Sequence, residues 1–197
     1  MENTDTYRTL AHPGTGIYRE KGSKFLGFAY PVESEEEIKA HIEALKKEYY
    51  DARHHCYAYV LDTPPEPLMR AHDDGEPAHS AGTPILNQIR SLELLNVLVV
   101  VVRYFGGTKL GVPGLIRAYK TAAEAALLDG GITERTREAF FHITYGYEET
   151  SQVMRLIHEL GARLVEQDFQ SRCNARIAVP LSRRAEARAQ LQNWLVS

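Results

Sequence analysis

Three clusters in the 197-residue chain hold the residue types from which reactive and binding sites are built: Arg53-His54-His55-Cys56-Tyr57, His72-Asp73-Asp74-Gly75-Glu76-Pro77 with His79, and Arg103-Tyr104-Phe105-Gly106-Gly107-Thr108-Lys109-Leu110-Gly111. Histidines, a cysteine and carboxylates are the donors of metal centres and of two-carboxylate hydrolytic sites. One reading is therefore a hydrolase built from His54, His55 and the His72 to His79 cluster. No HExxH and no CxxC pair is present, however, and Asp-Asp-Gly-Glu-Pro is also ordinary turn chemistry. The acids are equally suited to holding Arg53 or Arg103. Neighbouring residues of a strand point to opposite faces, so His55 cannot readily activate the Cys56 thiol, which reads as a small core residue. No catalytic residue, metal ligand or cofactor is assigned on these grounds, and the chain reads more as a binding protein than an enzyme.

The third cluster suits anions. Glycines let a backbone approach a phosphate closely, and the N–H groups at a helix N-terminus point at it. The candidate phosphate or nucleic-acid contacts are Arg103, Gly106, Gly107, Lys109, Gly111, Arg117 and Lys120. Gly106 and Gly111 have the first spacing of a Walker loop, but Val112-Pro113 stands where its Lys-Ser/Thr should be, which argues against nucleotide hydrolysis. In the competing reading the glycines make a tight strand-to-helix connection and Arg103 pairs with an acid.

Other elements must hold these clusters in place. Strand patterns cover Gly16 to Lys21, Lys24 to Val32 and Cys56 to Leu61, and Ser34-Glu35-Glu36-Glu37 has the form of a capping box that opens a helix. Asp62 to Gly82 carries four prolines and no apolar period, and reads as one long functional loop. Thr83-Pro84 offers a cap and a first-turn proline to a helix bearing Ile85, Leu86, Ile89 and Leu92. Val97 to Val102 is an unalternating aliphatic run, as in a strand at a sheet centre or covered on both faces. Leu115 through Leu127 follows helical spacing and ends at Gly130-Gly131.

A polar, glycine-containing stretch after Asp129 places a domain boundary near residue 135, giving domains 1–135 and 136–197. The second reads strand, helix, strand, strand, helix, a small α+β sandwich. Its Arg172 and Arg176 fall on the sheet face away from the core. The net charge of −3 exerts no global pull on nucleic acid, so such binding needs a local basic patch. No apolar run approaches the roughly 20 residues of a membrane span, and the N-terminus lacks a basic-then-apolar leader, so a cytoplasmic chain without a membrane partner is expected.

Together His54-His55-Cys56-Tyr57-Ala58-Tyr59, Asp73-Asp74-Gly75-Glu76-Pro77, Ala81-Gly82-Thr83-Pro84-Ile85-Leu86 and Arg103-Tyr104-Phe105-Gly106-Gly107-Thr108-Lys109-Leu110-Gly111 resemble the IMPACT family, most of all its bacterial, YigZ-like members. Gly22-Ser23-Lys24-Phe25 and Leu115-Ile116-Arg117-Ala118-Tyr119 match it too. Departures stand at His79, where a glycine is common, at Thr83, where a basic residue is common, and at Pro113. The resemblance implies an N-terminal α/β sandwich of the type shared by a ribosomal protein and domain IV of elongation factor G. It also implies a ferredoxin-like C-terminal domain of the elongation factor G domain V type. The function it implies is non-enzymatic translation regulation, with the ribosome or structured RNA as partner and a possible protein partner in translation control. It also marks His54, His55, Cys56, Asp73, Asp74, Gly75 and Glu76 as the family's motif loop.

Overall fold

The computed structural model describes residues 5–196. In chain order the first elements are β1 (Thr6–Leu10), β2 (Gly14–Glu20), β3 (Ser23–Pro31), α1 (Glu35–Glu48), β4 (His54–Leu61) and β5 (Leu68–His72). Then come α2 (Gly82–Ser91), β6 (Val97–Tyr104), α3 (Gly111–Asp129), β7 (Ile132–Thr136), β8 (Glu138–Tyr145), α4 (Thr150–Glu159), β9 (Arg163–Phe169), β10 (Cys173–Pro180) and α5 (Arg184–Gln190). The chain divides into two compact units, Arg8–Glu134 and a discontinuous one made of Met1–Tyr7 with Arg135–Ser197. The expected first domain, 1–135, thus differs at its beginning. The Asp5 carboxylate accepts the Ser182 N–H at 2.7 Å and the Ser182 hydroxyl, and its carbonyl takes the Arg137 N–H, all within the second unit.

In the first unit an antiparallel sheet runs in the order β2-β3-β6-β4-β5. The aliphatic run Val97 to Val102 is its central strand and is buried on both faces. Odd-numbered valines join Cys56, Ala58 and Val60 in a core against α2 and α3, and even-numbered ones join Leu26, Tyr59 and Leu61 in a second core against α1. The first unit is therefore three layers deep.

Two local signals act differently from their sequence reading. Ser34 Oγ accepts the Glu37 N–H at 3.2 Å as a cap should, but the Glu37 carboxylate reaches back one residue further, to the Glu33 N–H at 2.8 Å. Thr83 does not cap α2, which begins at Gly82 with no cap from its own neighbours. Nor is Asp62 to Gly82 all loop, since Leu68–His72 pairs with β4 as an edge strand.

The second unit has a sheet in the order β8-β10-β9, with Leu195 bridging Ile143 on the outer side of β8. That is the split β-α-β order expected of a ferredoxin-like unit, its fourth strand reduced to one bridge. Arg176 lies off the core, over the Phe140 ring at 4.6 Å and 3.5 Å from Glu166, while Arg172 precedes the strand.

Candidate functional site

The motif residues meet where the ends of β3, β4 and β6 face α2 and α3. Strand register sets Arg103 opposite Phe25 on one side and His54 on the other. It shares parity with Val99 and Val101, so its guanidinium points inward, over the rings of Phe25 at 5.4 Å and Phe105 at 5.5 Å. There Glu76 takes its Nη1 at 2.5 Å, with both side chains below a tenth exposed. Tyr119, from α3, donates its hydroxyl to the same carboxylate oxygen at 2.7 Å. The Cys56 thiol, with one proton to give, lies 3.0 Å from the Asp73 carbonyl and 3.3 Å from the Tyr119 hydroxyl. Burial drives the Cys56 and Tyr119 pKa values far above their ordinary ranges, so neither ionises at neutral pH.

Asp73 supplies the missing helix cap from eight residues away. Its Oδ1 accepts the N–H of Ala81 at 3.1 Å and of Gly82 at 2.8 Å, and its Oδ2 that of His79 at 2.9 Å. Burial works to raise its pKa and is outweighed by these three donors, which hold the carboxyl below its usual value. His79, with φ at 62°, occupies a left-handed position that glycine takes without cost, and its ring meets Thr83 Oγ1 at 3.2 Å. His54 Nδ1 meets the Asp74 carbonyl at 2.8 Å, and the Asp74 carboxylate accepts the His55 N–H at 2.7 Å. Gly75, at φ 85°, turns the chain between Asp74 and Glu76.

The histidines expected to converge are divided between the two faces of the sheet. His54 faces α2 and α3, whereas His55 lies on the α1 side, as do Tyr57 and the His72 ring stacked on it at 5.1 Å. Among the described residues no three His, Cys, Asp or Glu side chains are placed to hold one metal ion. His55 is only 6% exposed, and its Nε2 has no partner among the described residues. Burial lowers its pKa, against a weaker opposing pull from Asp74. The unfolded chain therefore takes up the proton first as the pH falls through the ordinary histidine value, about 6.5. Stability from this group is present in full above that value and is lost as the pH drops below it. Urea midpoints at neutral and acidic pH should fall less for His55→Gln than for the unaltered chain; equal losses would remove His55 as the cause.

The glycine-rich segment is divided in its uses. Gly106 lies so close to the β2–β3 turn that a Cβ would sit 1.9 Å from the Gly22 carbonyl carbon, and its N–H already donates to Ser23 Oγ at 3.1 Å. Arg103 and Gly106, expected as phosphate contacts, thus turn Nη1 and the backbone N–H, respectively, to partners within the first unit. Arg117 is exposed but pairs with Glu20 at 2.5 Å. Gly107 and Gly111, at φ 89° and 71°, carry the chain into α3, and Lys109 and Lys120 are exposed with no ion pair among the described residues. Lys120 overhangs a groove of about 330 Å³ between α2 and α3, lined also by His79, Thr83, Asn87 and Ile116. Parity with Val99 and Val101 was the available sign that Arg103 points inward. Tyr119 and Phe25, which complete the cluster, lie in the two flanking stretches that match the family, but nothing in the sequence joined them to Arg103 and Glu76.

A two-unit α+β chain whose motif loop, central arginine and glycine segment lock two helices onto one sheet defines the class. The family profile described as the Impact N-terminal domain matches residues 21–127. The chain is 31% identical to the IMPACT family member YigZ of Escherichia coli over 93% of its own length and 91% of that protein's. A solved structure described as a hypothetical protein superposes with a TM-score of 0.71 at 30% identity, covering 96% of this chain and 93% of that one. Yih1, described as a two-domain translational regulator, aligns at 30% identity over 62% of this chain and 47% of its own, with a TM-score of 0.38. The chain belongs to the IMPACT family. Among the described residues no helix is long and apolar enough to cross a membrane.

Proposed function

We propose that the chain is a non-enzymatic regulator of translation that contacts ribosomal or other structured RNA through the start and outer face of α3. The observation that carries this is a contrast between two helix N-termini. That of α2 is filled by the Asp73 carboxylate, whereas α3 has no side-chain cap and no acid in its first turn. Helix N-termini attract anions, and an uncapped one beside Gly107, Lys109 and Gly111 offers donors and positive charge to a phosphate. Lys120 lies about 14 Å further along the helix axis and extends the contact along an RNA backbone. Family membership supports the regulatory reading. The motif loop contributes architecture: Glu76 holds Arg103, Asp73 caps α2, the Asp74 carboxylate takes the His55 N–H, and the Cys56 thiol and Tyr119 phenol are held protonated.

Ribosome co-sedimentation at two salt concentrations, with and without nuclease, tests the proposal. Pelleting should weaken as salt rises, and Lys109→Ala with Lys120→Ala should reduce the salt slope by about two, one for each phosphate that no longer meets a lysine. Pelleting indifferent to both salt and the two substitutions would refute it, and pelleting that survives nuclease would favour a protein partner.

A further inference from the structure

The β2–β3 hairpin holds a pairing that sheet energetics disfavours. Its two-residue turn, Lys21-Gly22, has both φ values positive, at 48° and 78°, the backbone that fixes register in a tight hairpin. That register sets Arg19 directly opposite Lys24. Gly14 and Gly16 face α3, and Tyr18 packs with Phe25 on that same side. By alternation, Arg19 and Lys24 stand side by side on the α1 face. Counting from the turn, theirs is a non-hydrogen-bonded pair, whose Cα atoms approach to about 4.5 Å. Like charges so placed repel, and neither residue forms an ion pair or side-chain hydrogen bond among the described residues. Arg19 is exposed and Lys24 half-buried, and Lys21 adds an exposed cation at the turn.

The same row continues into aromatic residues. Tyr104 lies opposite Lys24 across β3 and β6, its hydroxyl anchored to Asp51 at 2.8 Å. Tyr50, 83% exposed, directly precedes Asp51, the residue that holds the Tyr104 hydroxyl. Ile17, two residues before Arg19 on the same face, is 58% exposed.

We infer that this row binds single-stranded nucleic acid, with Arg19 and Lys24 clasping one backbone phosphate and Tyr104 and Tyr50 receiving the adjoining bases. A shared phosphate converts the repelling pair into a bridged one. Cations interleaved with aromatic rings on an open surface are the chemistry of single-strand binding, where bases stack and the backbone is neutralised. An acidic peptide would satisfy the cations and leave the rings unused. The site shares with the reading above the premise of nucleic-acid contact, but it lies on the opposite face of the sheet from Lys109 and Lys120 and does not depend on them.

Fluorescence anisotropy with labelled uridine and thymidine oligonucleotides of about 12 nucleotides, in about 50 mM salt, tests it. Lys24→Glu should weaken binding about tenfold or more while raising the melting temperature of the first unit by about 1–3 °C, because Arg19 then faces an opposite charge. Tyr50→Ala should weaken binding by about fivefold or more at unchanged stability. Lys109→Ala with Lys120→Ala should leave oligonucleotide binding within about twofold even if ribosome pelleting is lost, so the two surfaces fail separately. The inference falls if the unaltered chain binds neither oligonucleotide, if Lys24→Glu and Tyr50→Ala bind as well as it does, or if polyglutamate displaces the oligonucleotides at equal charge concentration.

Discussion

Replacing Glu76 with alanine is expected to cost the first unit about 3–5 kcal/mol, the loss seen when one partner of a buried ion pair is removed. Arg103 and Glu76 are less than a tenth exposed, and the Arg103 Nε already has no hydrogen-bond partner among the described residues. Phe25 and Phe105 flank the guanidinium, so without Glu76 its charge stays buried with no acid to balance it. The Tyr119 hydroxyl loses its acceptor in the same step. Glu76→Leu combined with Arg103→Met should recover most of the loss, since no charge is then left behind. The chain's one tryptophan, Trp194, belongs to the second unit. Unfolding of the first must therefore be followed by far-ultraviolet circular dichroism or tyrosine fluorescence. A measured cost below about 1 kcal/mol would falsify the picture of a desolvated pair, because that is what a solvent-screened surface bridge contributes.

Gly27→Val should be the next most damaging change, at about 3 kcal/mol or more. Gly27 lies in the middle of β3, and a Cβ there would come within 2.4 Å of the Ala122 carbonyl oxygen and 3.2 Å of the Ala126 Cβ. Gly14 and Gly16 meet α3 just as closely. The helix thus rests backbone to backbone on two adjacent strands, and any side chain at Gly27 has to lift it. Lifting α3 also withdraws Tyr119, one turn earlier, from Glu76. Gly107→Ala is the control. Its φ of 89° makes the substitution strained, but no atom would lie within 4 Å of the new Cβ. Its cost should stay near 1–2 kcal/mol. Thermal melts followed by circular dichroism would separate the two classes, and equal losses would mean that close packing of α3 is not what Gly27 provides.

Features written in local sequence could be read without coordinates. The aliphatic run of β6, the Ser34 cap and the alanine spacing of α3 each depend on residues a few positions apart. What escaped was set by register or by remote partners. Leu68–His72 pairs only along β4 and is largely exposed, so it shows no alternation to reveal a strand. Asp73 caps a helix that starts nine residues later, and no capping rule reaches that far. Glu76 and Arg103 are 27 residues apart, and their pairing decided which way a cation beside a glycine loop would point. Residue type left both a phosphate and an acid of the loop open as partners of Arg103, and strand parity, by turning the side chain inward, decided for the acid. Arg19 and Lys24 stood out only once the hairpin register set them face to face.

The second unit closes on residues made long before the rest of it. Asp5 bonds to Ser182 and to the Arg137 N–H, Thr6 accepts from the Arg137 side chain at 3.2 Å, and that guanidinium lies over the Tyr7 ring at 5.4 Å. During synthesis these first residues emerge well over a hundred positions ahead of their partners. They wait while residues 8–134, the whole first unit, are translated. A fragment cut at residue 136 would discard a piece of its own fold, and proteolysis after Tyr7 would strip the distal unit while leaving the proximal one whole. For this chain the order of translation and the order of assembly are different sequences of events.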